Sequence, residues 1–295
     1  MTSTSDSSQP LVSVIIASYN HAPYIEASIE SVLQQSYPNI ELLVVDDGSR
    51  DDSVARIEAL QKVHGFDFRV QANKGLSRTL NETIERARGS LIAPFGSDDI
   101  MLPQRIATQV AYMADKPEVG ICAGAIQTID ADGRPGAKPR ALPLRRLDFE
   151  DVFMNRKPGA PAPTLMFRRE ALEAVGGFDP DIRLEDVYIE LMITRHGYRI
   201  DVMEDVLACY RVHANNTYKQ HRFMVDAMLA TLERFADHPR YVDARGAYLN
   251  SMLLKTAKQD VELSRWILRQ LPFSAWRLKT LRGLLRLFFS SHGKL

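Results

Sequence analysis

Short apolar runs alternate with amphipathic stretches along the N-terminal part of the chain. The first run, Leu11 to Ala17, is continuous and β-branched, as a strand covered on both faces of a parallel sheet reads. A helix is predicted across Pro23 to Gln35, with Asn20 as its cap, followed by a second strand at Glu41 to Val45. The alternation continues with a helix at Asp51 to Val63, a strand at Phe68 to Val70, a helix at Leu76 to Arg88 and a strand at Leu91 to Phe95. Such βα repetition predicts an α/β fold, a Rossmann-like open sheet with helices on both sides.

Beyond Pro103 the alternation loosens. Strands are expected at Val119 to Ile126, Thr164 to Phe167, Ile200 to Met203 and Val206 to Tyr210, with a Gly/Pro-rich loop or hairpin at Asp130 to Pro143. After Tyr218 the pattern turns helical. The expected organisation is a short N-terminal tail over residues 1–9, a catalytic domain over 10–217 and a helical C-terminal region over 218–295.

Open α/β sheets bind ligands beyond the carboxyl ends of their strands. Two of those ends carry paired acids. Val45 is followed by Asp46-Asp47-Gly48-Ser49, and Phe95 by Gly96-Ser97-Asp98-Asp99. Carboxylates at the first suit hydrogen bonds to a base or ribose, and oxygens at the second suit a hard divalent cation. Either segment alone is equally readable as a solvated turn leading into a helix.

Composition narrows the class without deciding it. Apolar residues are 45% and charged residues 25% of the chain, ordinary for a globular protein. Lys plus Arg and Asp plus Glu each number 37, so no global field attracts nucleic acid. Cys122 and Cys209 lie in apolar runs and read as buried thiols rather than a disulfide, which suits a reducing compartment. Met1 to Pro10 lacks the basic start and apolar stretch of a secretory signal, and no window has the ~18 consecutive apolar residues of a membrane span. The expected location is the cytoplasm, or the cytoplasmic face of the inner membrane.

Four motifs in order, Val14-Ile15-Ile16-Ala17-Ser18-Tyr19-Asn20, Asp46-Asp47-Gly48-Ser49-Arg50-Asp51-Asp52-Ser53, Asn73-Lys74-Gly75 and Ser97-Asp98-Asp99, resemble the inverting family 2 glycosyltransferases of GT-A fold. The likeness continues through Val175-Gly176-Gly177-Phe178-Asp179, Glu185-Asp186 and Tyr210-Arg211-Val212-His213. It implies an open mixed sheet and transfer of a sugar from a nucleotide-sugar donor, a UDP- or dTDP-sugar, to a saccharide or lipid-linked saccharide acceptor. Cell-surface polysaccharide, lipopolysaccharide or glycolipid synthesis is the setting it suggests.

By the same resemblance Ser18, Tyr19 and Asn20 line the nucleotide pocket, Asp46 or Asp47 contacts the base, and Asn73 and Gly75 lie near the donor with Ser97. Asp98 is the principal ligand of Mg²⁺ or Mn²⁺, with Asp99 beside it. His213 lies near the metal, and Arg211 faces the diphosphate. Asp186, at the start of a helix, is the general base that deprotonates the acceptor, although an acid there also reads as a plain helix cap. Relatives often carry an acid where this chain has Gly96. That departure leaves open a protein that binds nucleotide sugar without turning it over. A nucleotidyltransferase would need a Gly-rich loop after the first strand, which Ala17 to His21 does not supply. His21, His64 and His196 are read as ordinary loop or core histidines.

The tail has a charge of its own. Residues 265–295 hold seven Lys or Arg and no acid. Wound as a helix, Trp276 to Phe289 gathers Leu278, Leu281, Leu284, Leu285 and Phe288 on one side, with Lys279, Arg282 and Arg286 roughly opposite. Peripheral contact with a membrane and packing on the rest of the protein are both open readings, and Gly283 is expected to interrupt the helix.

Overall fold

The computed structural model describes residues 9–139, 142–214 and 216–292. The chain divides into two compact units, the first formed by Met1–Val152, Lys157–Asp181 and Glu185–His213, the second by Phe153–Arg156, Ile182–Leu184 and Ala214–Leu295.

In the first unit β1 (Val12–Ser18), α1 (Ile25–Leu33), β2 (Ile40–Asp46), α2 (Ser53–His64), β3 (Asp67–Val70), α3 (Leu76–Arg86) and β4 (Leu91–Gly96) follow the predicted alternation closely. Then come β5 (Ile100–Met101), α4 (Arg105–Met113), β6 (Val119–Ile129), β7 (Arg145–Leu147) and the short helix α5 (Phe149–Phe153). The unit closes with β8 (Met166–Arg168), α6 (Arg169–Ala174), α7 (Glu185–Arg195) and β9 (Arg199–Arg211). The two strands expected between Ile200 and Tyr210 are thus one, because β9 runs unbroken beside β6 and absorbs its irregularities in register shifts.

Among the described residues nine strands form one mixed sheet in the order β3-β2-β1-β4-β8-β6-β9-β5, with β7 paired to β9. β1 is central and parallel to both β2 and β4. Its alternate side chains serve two layers: Val12, Val14 and Ile16 pack with Ile25, Ile29, Ile106 and Met113, while Ile15 packs with Leu43, Leu80, Ile84 and Ile189. Period-two alternation on a strand buried on both faces yields such a three-layer core.

One local expectation changes here. Asn20 does not cap α1: it takes a left-handed backbone (φ 54°), and its Oδ1 accepts from the Arg50 amide at 2.8 Å. That bond joins the β1 and β2 loops. Gly176 and Gly177 both have positive φ, and Gly177 lies so close to Asn81 that an added Cβ would come within 2.7 Å of its Oδ1. Asn81 holds Phe178 at both backbone groups, its Oδ1 accepting from the amide at 3.0 Å and its Nδ2 donating to the carbonyl at 2.7 Å.

The second unit contains α8 (His221–Glu233), α9 (Tyr241–Thr256), α10 (Val261–Gln270) and α11 (Leu278–His292), around a core that includes Val225, Leu249, Leu253, Leu263 and Ile267. Gly283 does not interrupt α11. Its missing side chain is what lets the helix lie against Leu253, whose Cγ would be 2.8 Å from an added Cβ.

Arg105 is the largest wholly buried side chain of the first unit's core. It donates to Gln109 Oε1 and to the Pro163 and Leu165 carbonyls at 2.7–3.0 Å, and burial pulls its guanidinium down to about 9. Removing it would strand buried acceptors. Arg105→Ala is expected to cost about 3–5 kcal/mol of unfolding free energy, read from urea denaturation.

Candidate active site

Register places the site. Ser18 lies level with Asp46, and Ala17 with Gly96, so the loops leaving β1, β2 and β4 emerge at one edge of the sheet. The adjacent acids on those loops then divide in function.

Asp46 is buried and closes its own turn, accepting from the Ser49 amide at 2.8 Å and the Ser49 hydroxyl at 2.6 Å. Asp47 organises the next loop: its carboxylate accepts from the Lys74 and Gly75 amides, both at 2.9 Å, and from Gln71 Nε2, while its carbonyl accepts from Asn73 Nδ2. Gly48, with positive φ, permits this turn because a Cβ there would lie 2.9 Å from the Asn73 amide. Asn73 and Gly75 are exposed on the loop so held, and Tyr19 and Asn20 are exposed just past β1. Ser18 Oγ is buried with no hydrogen-bond partner among the described residues, an orphan of the kind that a bound polar group satisfies.

At the end of β4, Asp98 and Asp99 separate. Asp99 is buried, accepts from the Arg211 amide at 2.8 Å, and has its carboxyl raised to about 7 by burial and by the neighbouring Asp98. Asp98 instead meets His213 Nε2 at 2.9 Å. His21 joins them, and single ligand atoms of His21, Asp98 and His213 lie within 4.8 Å of one another. One carboxylate oxygen and two imidazole nitrogens can hold a divalent metal ion. Ser97 shares a 2.6 Å hydrogen bond with His21 Nδ1 and fixes the ring, as outer partners of metal-binding histidines do. Of the expected ligands, then, the structure brings Asp98 and His213 together and turns Asp99 away to the backbone.

Arg211 is also turned away from open solvent. It is buried, its guanidinium donates to the Asp98, Asp130 and Ala131 carbonyls at 2.7–3.2 Å, and it lies 4.9 Å from the centroid of the Tyr24 ring. It braces the Asp98 turn. Gly96 is as crowded: a Cβ there would lie 2.8 Å from Asp99 Oδ2 and 3.1 Å from Asp98 Oδ1, so a further acid would force these two to move.

A cleft of about 280 Å³ beside this cluster is lined by His21, Asp98, Phe178, Glu185, Asp186 and Tyr210, among others. Asp186 stands in the first turn of α7 and accepts from the Val187 amide at 2.8 Å. Burial raises its carboxyl, and burial with the Asp186 charge raises Glu185 to about 8. Glu190, one turn on, is buried and raised well above the ordinary range for the same two reasons. Sequence alone reads His21 as an ordinary loop or core histidine and Glu185 only as the neighbour of Asp186 in its motif, whereas the structure places His21 in the cluster; Glu190 and Asn81 carry no signal there. For His21 a signal existed, its place three residues beyond the end of β1. Cys122 and Cys209 are free thiols; Cys122 is buried as expected, which pushes it up to about 12, whereas Cys209 is only half-buried.

An open mixed sheet flanked by helices is the architecture of GT-A glycosyltransferases. The chain belongs to glycosyl transferase family 2, whose model matches residues 13–176. A glycosyltransferase of Nostoc sp., alr2836, is 30% identical over 94% of this chain and 87% of its own length. The O-antigen biosynthesis glycosyltransferase WbnJ of Escherichia coli is 27% identical over 71% of this chain and 82% of its own, and the amylovoran biosynthesis glycosyltransferase AmsE of Erwinia amylovora 27% over 71% and 79%. Two solved structures share the fold at low identity. The mannosyltransferase PcManGT of Pyrobaculum calidifontis, in complex with GDP-Man and Mn²⁺, has a TM-score of 0.63 at 18% identity and covers 98% of this chain and 89% of its own. S. aureus TarS 1-349 with UDP-GlcNAc has a TM-score of 0.66 at 15% identity, covering 95% and 89%.

A buried carboxyl held above its unfolded-state value favours the folded state only while protonated. Stability from Glu190 is therefore full at acid pH and fades as pH rises from the ordinary glutamate range toward the raised value. Glu190→Gln removes that loss, so its melting temperature should match the wild type in acid and exceed it increasingly as pH climbs above the ordinary glutamate range, as thermal melts across pH would show.

Proposed function

We propose that this chain is a metal-dependent, inverting glycosyltransferase that moves a sugar from a nucleoside-diphosphate donor to the hydroxyl of a saccharide or lipid-linked saccharide. The observation that carries this reading is that Asp98 and His21 of the cluster line one cleft with Asp186. The parts that WbnJ has in O-antigen and AmsE in amylovoran biosynthesis support a role in cell-surface polysaccharide assembly. The GDP-Man bound to PcManGT and the UDP-GlcNAc bound to TarS support a nucleotide sugar as donor.

The donor's base and ribose would lie over the loops tied by Asp46 and Asp47, with Ser18, Tyr19, Asn20, Asn73 and Gly75 at hand. His21, Asp98 and His213 would hold the ion. The mixed nitrogen and oxygen set fits Mn²⁺ better than Mg²⁺, which favours oxygen ligands alone. When bound, such an ion neutralises charge on a departing nucleoside diphosphate. Asp186 takes the proton from the acceptor hydroxyl as its oxygen attacks the anomeric carbon. The bond from that carbon to the diphosphate oxygen breaks on the opposite face, and the configuration inverts. Phe178 and Tyr210 would flank the reacting sugar.

Incubation with a panel of UDP-, dTDP- and GDP-sugars, with Mn²⁺ and saccharide acceptors, should release nucleoside diphosphate from at least one donor and yield the inverted anomer by NMR. A protein that binds these donors by calorimetry but transfers to no acceptor would instead be a nucleotide-sugar-binding relative. Asp186→Asn is expected to lower kcat by about 10²–10⁴-fold with donor affinity retained. His21→Ala, an unlooked-for ligand, should weaken Mn²⁺ activation by about 10–100-fold, the scale seen when a metal site loses part of its shell.

The base must be ionised to accept a proton, and burial holds both carboxyls of the Glu185–Asp186 pair above the ordinary range. Because an acid with a raised value is protonated over more of the pH scale, kcat/KM should rise with pH along a limb lying above the usual carboxylate range. Because burial and not the Glu185 charge raises Asp186, Glu185→Gln should leave that limb close to its place.

A further inference from the structure

The surface of α11 has three arcs. One packs inward: Thr280 is buried and its hydroxyl donates to Asn250 Oδ1 of α9, Gly283 lies against Leu253, and Leu287 is buried. Asn250 is itself locked, donating to the Gly246 and Ala275 carbonyls at 2.7 and 2.9 Å, so the rotation of the helix is set. At 3.6 residues per turn this leaves the second arc, Leu278, Leu281, Leu285, Phe288 and Phe289, facing outward, and these five side chains are 53–78% exposed. Phe273, just before the helix, is 84% exposed. The third arc, Lys279, Arg282 and Arg286, adjoins the apolar one on the solvent side rather than lying opposite it.

An outward apolar stripe of this size on a soluble helix marks a contact surface. We propose that it docks on an anionic lipid bilayer, with α11 lying in the plane of the interface. Leu281, Leu285, Phe288 and Phe289 would enter the acyl boundary, and Lys279, Arg282 and Arg286 would meet headgroup phosphates. Charge selects this occupant. Residues 265–295 contain seven Lys or Arg and no Asp or Glu, so a second copy packed symmetrically on the same stripe would set basic arcs against each other without acids from this segment to pair them. An anionic bilayer complements both arcs at once, its acyl boundary taking the apolar side chains and its headgroups the basic ones.

The test is flotation of the full chain with vesicles of phosphatidylcholine alone or mixed equally with phosphatidylglycerol. Binding is expected to the mixed vesicles only, and to weaken as salt is raised. Lys279→Gln and Arg282→Gln should each weaken it about fivefold. The double variant Leu285→Ser/Phe288→Ser should weaken it at least about tenfold while its melting temperature stays unchanged, since both side chains are exposed. Failure to float with mixed vesicles, equal binding to both kinds, or binding that the double variant retains would each overturn the proposal. So would concentration-dependent dimerisation, seen by sedimentation, that the double variant abolishes.

Discussion

The site depends on three parallel strands ending level with one another. Because β2, β1 and β4 pair in register, with Ser18 beside Asp46 and Ala17 beside Gly96, their loops leave the sheet together and have to be tied to one another. Buried carboxylates do the tying. Asp46 closes the turn that holds Asn20 through Ser49, and Asp47 gathers the amides of Lys74 and Gly75. A carboxylate accepting several backbone amides forms strong bonds in a low-dielectric setting, so the loops form a rigid rim.

Adjacent acids in this rim have opposite surroundings. Asp99 and Arg211 are drawn into the protein and bonded to backbone, whereas Asp98 stands at the cleft among imidazoles. The inward pair holds the outward one in place: Arg211 donates to the Asp98 carbonyl while its own amide is held by Asp99. On the other side of the same cleft, the acids of α7 stand together, Glu190 buried and Glu185 and Asp186 half-buried, and are held toward their neutral forms. A site whose carboxylates have such different surroundings suits both cation binding and proton acceptance.

The C-terminal unit follows a different economy of surface. Its helices bury a compact core of their own, and a polar lock between Thr280 and Asn250 sets which side of α11 faces outward. A helix whose apolar stripe is left outside that core has been oriented by its small residues, Gly283 above all, rather than by its leucines.

The alternation of apolar runs and amphipathic stretches was enough to read β1 through β4, with their helices, to within a few residues, because side-chain period is a local property of the backbone. The acid pairs at two strand ends and Asp186 at a helix start were legible for the same reason. What sequence could not reveal is which way each neighbouring side chain turns. Asp98 and Asp99 are the same residue type one position apart, and their fates are decided by Arg211 and His213, more than a hundred positions away. His21 becomes part of the cluster only when β1 and β4 lie side by side, and Gly283 becomes a packing surface only once Leu253 is against it. These contacts join segments distant along the chain, and no local pattern of polarity records them.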